Sequence, residues 1–561
     1  MHISAGTYRT VNVTVPSFQS LTLAGPLSGP PAVLDAAYTG WILRSSNTSL
    51  TIQDLTFTNG FSNVGSGVTI WNSAPLSDRS ATVVRCVFTN NIAFTSIRVP
   101  RTYAFYSGAG LLVFGMTNTT LLHSTFMNNR ANGSGAGALL LSCGPESNVS
   151  NPCLFTVDGC VFTNNSVGRS MQTADPAAGG GLMIISGTAP RVLESHQSVI
   201  TVTDTQFRNN EAYYSGGGMG IFMYQQGFTN ITVTGCAFAY NYAASLGAGM
   251  HIITNGPTLY VVGLLVSNST FEYNSVAGST SGGGGSALST VFATTCPFLN
   301  VTLDRIFVAH HAVPPADSVG IMYGTVSIQH GTGSLGQSIV TVSNSLFLNN
   351  SVANFANGAA LQVNYGQSIT SSTNVTFSIF NSTFESNTDV NSGGAVGWEI
   401  ANMGDMYPRT ANFEFHHVTL RNNVAGDYGG GLHVRLPAGR QTFVNLNMSH
   451  CSVLNNSATL GGGGVAFRFT ALSARMRVNV SNNFFFNNSV LLKADHNSTR
   501  EDDVLGYGGG LYMQISFLPS PDKTNGSLSV TDNVFENNTA VISGGGLRIS
   551  SPLQRSVEEF A

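Results

Sequence analysis

The sequence predicts an all-β chain, a right-handed parallel β-helix solenoid of about fourteen coils with three short strands per coil. Three observations predict it. An aromatic anchor followed three residues later by Asn recurs along the chain. A run of small residues, mostly Gly, then leads into a short apolar strand. The residues before each anchor alternate apolar and polar with period two, and no stretch carries the 3.6-residue period of a helical repeat.

The anchor is clearest in Val83-Val-Arg-Cys-Val-Phe88-Thr-Asn-Asn91 and Val157-Asp-Gly-Cys-Val-Phe162-Thr-Asn-Asn165. The Asn column comprises Asn91, Asn129, Asn165, Asn210, Asn241, Asn274, Asn350, Asn387, Asn423, Asn456, Asn488 and Asn538. Leu420 and Val453 are aliphatic anchors, and the pairs Phe57/Gly60 and Val308/His311 keep the spacing with a changed last residue. That gives fourteen units at intervals of 31 to 50 residues. Stacked Asn side chains can hydrogen-bond one another and the neighbouring backbone, which satisfies polar groups inside the stack.

Positions seven and five before the anchor are apolar, as in Leu50/Ile52, Phe155/Val157 and Leu446/Met448, which reads as a strand with one buried face. Position three before it is mostly Asp, Asn, His or Gly, residues that tolerate left-handed backbone, so a bend is expected there. The glycine run permits positive φ and close backbone approach at the next corner. Residues 1–49 read as the opening coils or cap and residues 50–561 as one continuous repeat domain, with the true ends of the protein expected to lie outside this sequence.

Only 9% of residues are charged and the net charge is −4. Lys occurs only at Lys493 and Lys523 and no basic cluster is present, which argues against nucleic acid and anionic membranes as partners. No apolar stretch approaches the roughly 18 residues of a membrane-spanning helix. The chain holds 19 Asn-x-Ser/Thr sequons, a modest excess for so amide- and hydroxyl-rich a composition. Asn12, Asn118, Asn230, Asn300, Asn374 and Asn525 are glycosylation candidates, and the expected location is extracellular or the cell surface.

Cys86, Cys160, Cys236 and Cys451 share one inward column, and the nearest of them are two coils apart, about 9–10 Å. That exceeds disulfide reach, so four buried free thiols are expected. Cys143 and Cys153 end a short polar loop and are the disulfide candidate, conditional on secretion. Cys296 is left over.

The paired Phe-x-x-Asn and Gly-Gly-[Ala/Gly/Leu] elements over roughly residues 50–550 resemble the chlamydial polymorphic outer-membrane proteins and related β-helix proteins of algae and other protists. Ser4-Ala-Gly-Thr-Tyr8 followed by Leu21-Thr-Leu-Ala-Gly25 resembles the first coils of pectate-lyase-like folds. The resemblance implies a surface-exposed adhesive passenger, with membrane attachment only through segments outside this sequence.

β-Helices also carry polysaccharide lyases, glycoside hydrolases and epimerases, so an enzyme is the alternative. Asn387-Thr-Asp389 resembles the first piece of a polygalacturonase signature, making Asp389 a catalytic candidate; the plainer reading is that Asn387 is a ladder residue and Asp389 begins a turn. His311 is a second candidate because it breaks the Asn column, near Asp304, Arg305 and His310; drift is the plainer reading. His417 and His450 occupy the bend column of consecutive coils and are metal candidates, against the plainer reading of bend-forming His. Glu501-Asp-Asp503 is the one tight acidic group and reads as a solvated loop before a calcium site. No cofactor is expected. Length varies at two corners, between anchor and Gly run and after the Gly strand, and loops there are the expected home of glycan or surface-protein binding. The aromatics assigned to those loops are Tyr103, Phe105, Tyr106, Phe222, Tyr224, Phe228, Trp398 and Tyr407.

Overall fold

The structure, a computed structural model, describes the chain apart from residues 10–11, 18, 73–78, 95–96, 99–104, 143–151, 169–177, 187–195, 224–226, 255–259, 278–282, 293–295, 314–321, 331–334, 354–356, 366–368, 401–409, 437–441, 470–474, 492–505, 516–526 and 551–561. Among the described residues there are 64 strands and no helix. The chain divides into two compact units, Met1–Ala277 with Ser286–Thr294 and Gly278–Gly285 with Thr295–Ala561. Each is a parallel β-helix in which like strands of successive coils pair in parallel.

Three strand types repeat in each coil. In the first unit the flanking strand Ser80–Val84 pairs with Asn118–Leu122, the anchor strand Val87–Thr89 with Thr125–Met127, and the glycine strand Leu111–Met116 with Ala138–Ser142. Register keeps the columns aligned, so Phe57, Phe88, Phe126, Phe162, Phe207, Phe238 and Phe271 stand one above another. Their rings stack 4.7–5.1 Å apart. Tyr8 and Leu34 continue this column into the opening coils. In the second unit the column runs Val308, Phe347, Phe384, Leu420, Val453, Phe485 and Phe535.

A fourth pairing was not expected. The residues after each ladder Asn form two-residue strands such as Ile92–Ala93 and Arg130–Ala131, whose second side chain is buried. Ala93, Ala131 and Val167 pack there with Ala109 and Ala136.

Glycine is required where the glycine strand begins. A Cβ on Gly218 would lie 2.6 Å from the Gly249 carbonyl of the next coil and 3.2 Å from the Phe207 Cβ, and Gly216 has φ +66°. The bend column is left-handed as the sequence indicates, with Asp54, His123, Asp204 and Asn344 at φ 58°, 49°, 47° and 52°. A second left-handed position, two residues after each anchor, escaped the sequence reading; Asn90, Asn128 and Asn164 occupy it with φ 57°, 55° and 54°.

Phe222 and Trp398 are not loop residues. They lie in Met219–Met223 and Val396–Ile400 with 4% and 0% exposure, because an apolar ring in strand register is drawn onto the packed sheet. Trp398 meets Phe413 edge-on at 4.7 Å. Phe228 lies in strand Gly227–Thr234 and is exposed, and Phe105 and Tyr106 form a two-residue antiparallel pairing with Ile97–Arg98. Tyr103, Tyr224 and Tyr407 lie outside the described residues.

Candidate functional site

The ladder is built from three bonds per Asn. Asn129 donates its backbone N–H (3.1 Å) and Nδ2 (2.9 Å) to Oδ1 of Asn165, and Nδ2 also donates to the Phe88 carbonyl (3.0 Å). Asn91, Asn165, Asn210 and Asn241 do the same in the first unit, where Asn274 receives the last pair. In the second unit Asn350, Asn387, Asn423, Asn456 and Asn488 continue it to Asn538. His311 heads that run: its backbone N–H and Nδ1 both face Asn350 Oδ1, at 3.3 and 3.1 Å. Burial pushes its pKa down to about 3, so its ring is neutral at ordinary pH. His311 is a ladder member with an imidazole in place of an amide.

Asp389 is the second residue of Thr388–Asp389, a position held by Val352 and Ala425 in the adjacent coils. It is 1% exposed. Its Oδ2 accepts the Gly358 N–H (2.9 Å) and its Oδ1 the Asn391 N–H (2.8 Å). Burial raises its pKa well above the ordinary carboxyl range, against the opposing pull of those two N–H donors. The carboxyl thus ties one corner to the next and its oxygens are occupied by backbone.

Beside it the outer face of the glycine-strand sheet carries a polar row that the sequence reading missed. Asn391 Nδ2 donates to Asn357 Oδ1 (2.9 Å), and Asn357 donates to Glu399. Glu399 Oε1 pairs with Arg435 Nη1 at 2.7 Å. Arg468 sits in register beside Arg435, donates to Gln514 Oε1 (2.9 Å) and lies 4.1 Å over the Tyr428 ring. Among the described residues no carboxylate pairs with Arg468. His433, two residues before Arg435 on the same strand, is 2% exposed and stacked on Tyr428 at 5.9 Å, and among the described residues neither of its ring nitrogens has a hydrogen-bond partner. Its pKa is held well below the ordinary value by burial first and then by Arg468 and Arg435. The row was detectable only after strand register was known, because Glu399, Arg435 and Arg468 lie on separate coils.

His417 and His450 stack 5.1 Å apart with φ 53° and 55°. Neighbouring His416 is bonded to Ser449 (2.6 Å) and to Asn447 (3.3 Å). Among the described residues no group of three or more His, Cys, Asp or Glu is placed to hold a metal ion. Glu501, Asp502 and Asp503 lie outside the described residues.

Cys86, Cys160, Cys236 and Cys451 are buried free thiols, and Cys296 is buried with its thiol donating to the Phe298 carbonyl (3.3 Å). Burial raises Cys86, Cys160, Cys236 and Cys451 to about 12. Cys153 is disulfide-bonded; Cys143, its expected partner, lies outside the described residues. Among the described residues no helix is long and apolar enough to cross a membrane. Comparison with known protein families, with curated proteins and with solved structures finds no match to this chain.

Proposed function

We propose that this chain is an extracellular or cell-surface glycoprotein scaffold that displays corners and loops for adhesion, binding glycans or surface proteins without a reaction of its own. The observation that carries this reading is the division of labour along each coil. The interior is closed on itself by Asn and Phe ladders, while length varies only at fixed corners. Of the glycosylation candidates, Asn12, Asn118, Asn230 and Asn374 are exposed and Asn300 is half-buried, while Asn525 lies outside the described residues. The buried thiols are compatible with that compartment. An unpaired cysteine is a hazard where disulfides form, and burial to a pKa of about 12 removes the reactive thiolate from four of them. The likeness to chlamydial outer-membrane passengers and to pectate-lyase-like folds belongs to this reading.

The test uses protein from its native cells. Enzymatic removal of N-glycans should lower its mass, and protease added to intact cells should digest it. An unchanged mass together with protection in intact cells overturns the reading.

One observation favours a carbohydrate-active enzyme. Asp389 and Glu399 are two carboxyls of different character, joined through Asn391 and Asn357, the first buried with a raised pKa and the second in an ion pair with Arg435. Turnover on a panel of polyuronates and glucans, abolished by Glu399→Gln, would replace the scaffold reading.

A further inference from the structure

The residues on either side of each anchor face away from the core, while the anchor between them is buried. Many of these outward pairs are wholly polar, as in Gln206/Arg208, Thr383/Glu385 and Thr419/Arg421. Two coils of the second unit set large apolar side chains at both places, Leu346 with Leu348 and Phe484 with Phe486. Phe484 is 38% exposed and its ring lies 5.8 Å from that of Phe486. Paired apolar side chains on an outer face make a patch that water covers poorly.

Both apolar pairs run into the same corner sequence. Leu348 is followed by Asn349-Asn-Ser351 and Phe486 by Asn487-Asn-Ser489, each an Asn-x-Ser acceptor sequence. The wholly polar pairs named above run instead into Asn209-Asn-Glu211, Ser386-Asn-Thr388 and Asn422-Asn-Val424, which are not acceptors. The middle residue, Asn350 or Asn488, is the buried ladder amide. With that side chain turned inward, Asn349 and Asn487 stand exposed at the corner with φ 52° and 54°. Each amide nitrogen meets one group on the preceding coil: Asn487 Nδ2 donates to Asn455 Oδ1 (2.9 Å), and Asn349 Nδ2 lies 3.2 Å from His310 Nδ1. An amide nitrogen carries two hydrogens, so one on each Nδ2 remains for substitution.

We propose that Asn349 and Asn487 carry N-linked glycans whose first sugars cover the Leu346/Leu348 and Phe484/Phe486 patches. This rests on the scaffold reading and deepens it, adding the anchor corner to the strand faces as a place of glycosylation. The donor is an oligosaccharide linked to a lipid diphosphate. Its bond from sugar C1 to phosphate oxygen breaks, the bond from C1 to Nδ2 forms, and the Nδ2 proton leaves with the lipid diphosphate. The N–H that remains still serves the preceding coil, so attachment breaks no hydrogen bond at the corner. A pyranose turns C–H groups to the apolar side chains and hydroxyls to water. A partner protein is the other occupant such patches suit, and the acceptor sequence beside each of them favours the glycan.

The experiment maps the attachment sites on protein from its native cells. Peptide-N-glycanase acting in heavy-oxygen water turns each glycan-bearing Asn into an isotope-labelled Asp, which peptide mass mapping locates. Asn349 and Asn487 should both be labelled. Ser489→Ala, made in the same cells, removes one acceptor sequence while leaving Asn487 and the ladder in place. It should bind an apolar-surface dye about twofold more strongly, and adding Phe484→Thr and Phe486→Thr should cancel that rise. Absence of label from either Asn349 or Asn487, with other sequons labelled, overturns the proposal and leaves the scaffold reading standing. No label at any Asn overturns the proposal together with the glycoprotein part of that reading. Label at Asn487 with unchanged dye binding in Ser489→Ala overturns the covering role.

Discussion

At His311 a single side chain sets a pH dependence whose sign follows from burial. Its pKa is about 3 in the fold and 6.5 when exposed, so the unfolded chain takes up a proton as pH falls below 6.5 while the folded chain does not. The stability this neutral ring contributes is complete above pH 6.5 and is lost between 6.5 and about 3. His311→Asn puts an untitratable amide in the ladder. The variant should gain on the original chain by about 2 kcal/mol more at pH 5 than at pH 7.5, in urea midpoints converted with a common slope. An equal difference at both pH values would show that the ring is protonated in place. Asp389 works in the opposite sense. Its raised pKa means the unfolded carboxyl ionises from about pH 4 upward while the folded one lags, so its contribution worsens as pH rises. Asp389→Asn should therefore improve relative to the original chain from pH 4 to pH 7; a flat difference would mean the two N–H donors already hold it ionised.

At the scale of an element, the Asn column is a shared structure rather than a set of separate bonds. Asn423 accepts from Asn387 with one oxygen and donates to both Asn456 Oδ1 and the Phe384 carbonyl. Asn423→Ala strands donors on one coil and acceptors on another, all buried. The expected loss is roughly 3–5 kcal/mol, above an ordinary core truncation of similar size, read by chemical unfolding. Asn423→Asp should also fail, because the position needs an N–H as well as an oxygen. A loss under about 1 kcal/mol for either would mean water enters the column. The thiol column makes a second prediction. Cys86, Cys160, Cys236 and Cys451 should resist an alkylating reagent at pH 8 in the folded chain and react once it is unfolded. Labelling of any of the four without loss of structure would contradict their burial. The ladders were legible in the sequence because inward positions have few solutions: a ring to stack, an amide to bond, a glycine where a carbonyl approaches. The outer row of Glu399, Arg435 and Arg468 was not, since outward positions obey no such restriction and meet only through register. Trp398 and Phe222 were misplaced for a related reason. A residue beyond the glycine run looks like loop until the five-residue length of that strand is known.

At the scale of the whole molecule, the coil is the unit of folding, and each coil presents the same surfaces to the one before and the one after. A change that respects the period should therefore be tolerated where a smaller one is not. Removing Val424–Asn456 takes out one complete coil of the second unit, 33 residues, the interval between Asn423 and Asn456. Asn423 then meets Asn488, Leu420 meets Phe485, and Glu399 comes into register with Arg468, which can replace its pairing with Arg435. Removing only Val424–Leu436 deletes fewer residues but takes away a short strand and a glycine strand while leaving the flanking strand Phe443–Ser449 behind. The Asn ladder and the glycine strands can no longer align within one coil, and every side chain after the join faces the wrong way or the wrong coil. The whole-coil variant should keep its β-sheet circular dichroism and a cooperative thermal transition, with a modest loss from one fewer interface. The partial variant should lose cooperativity in spite of its greater length. Equal behaviour of the two would mean that stability here follows the number of residues retained rather than the closure of each coil on its neighbours.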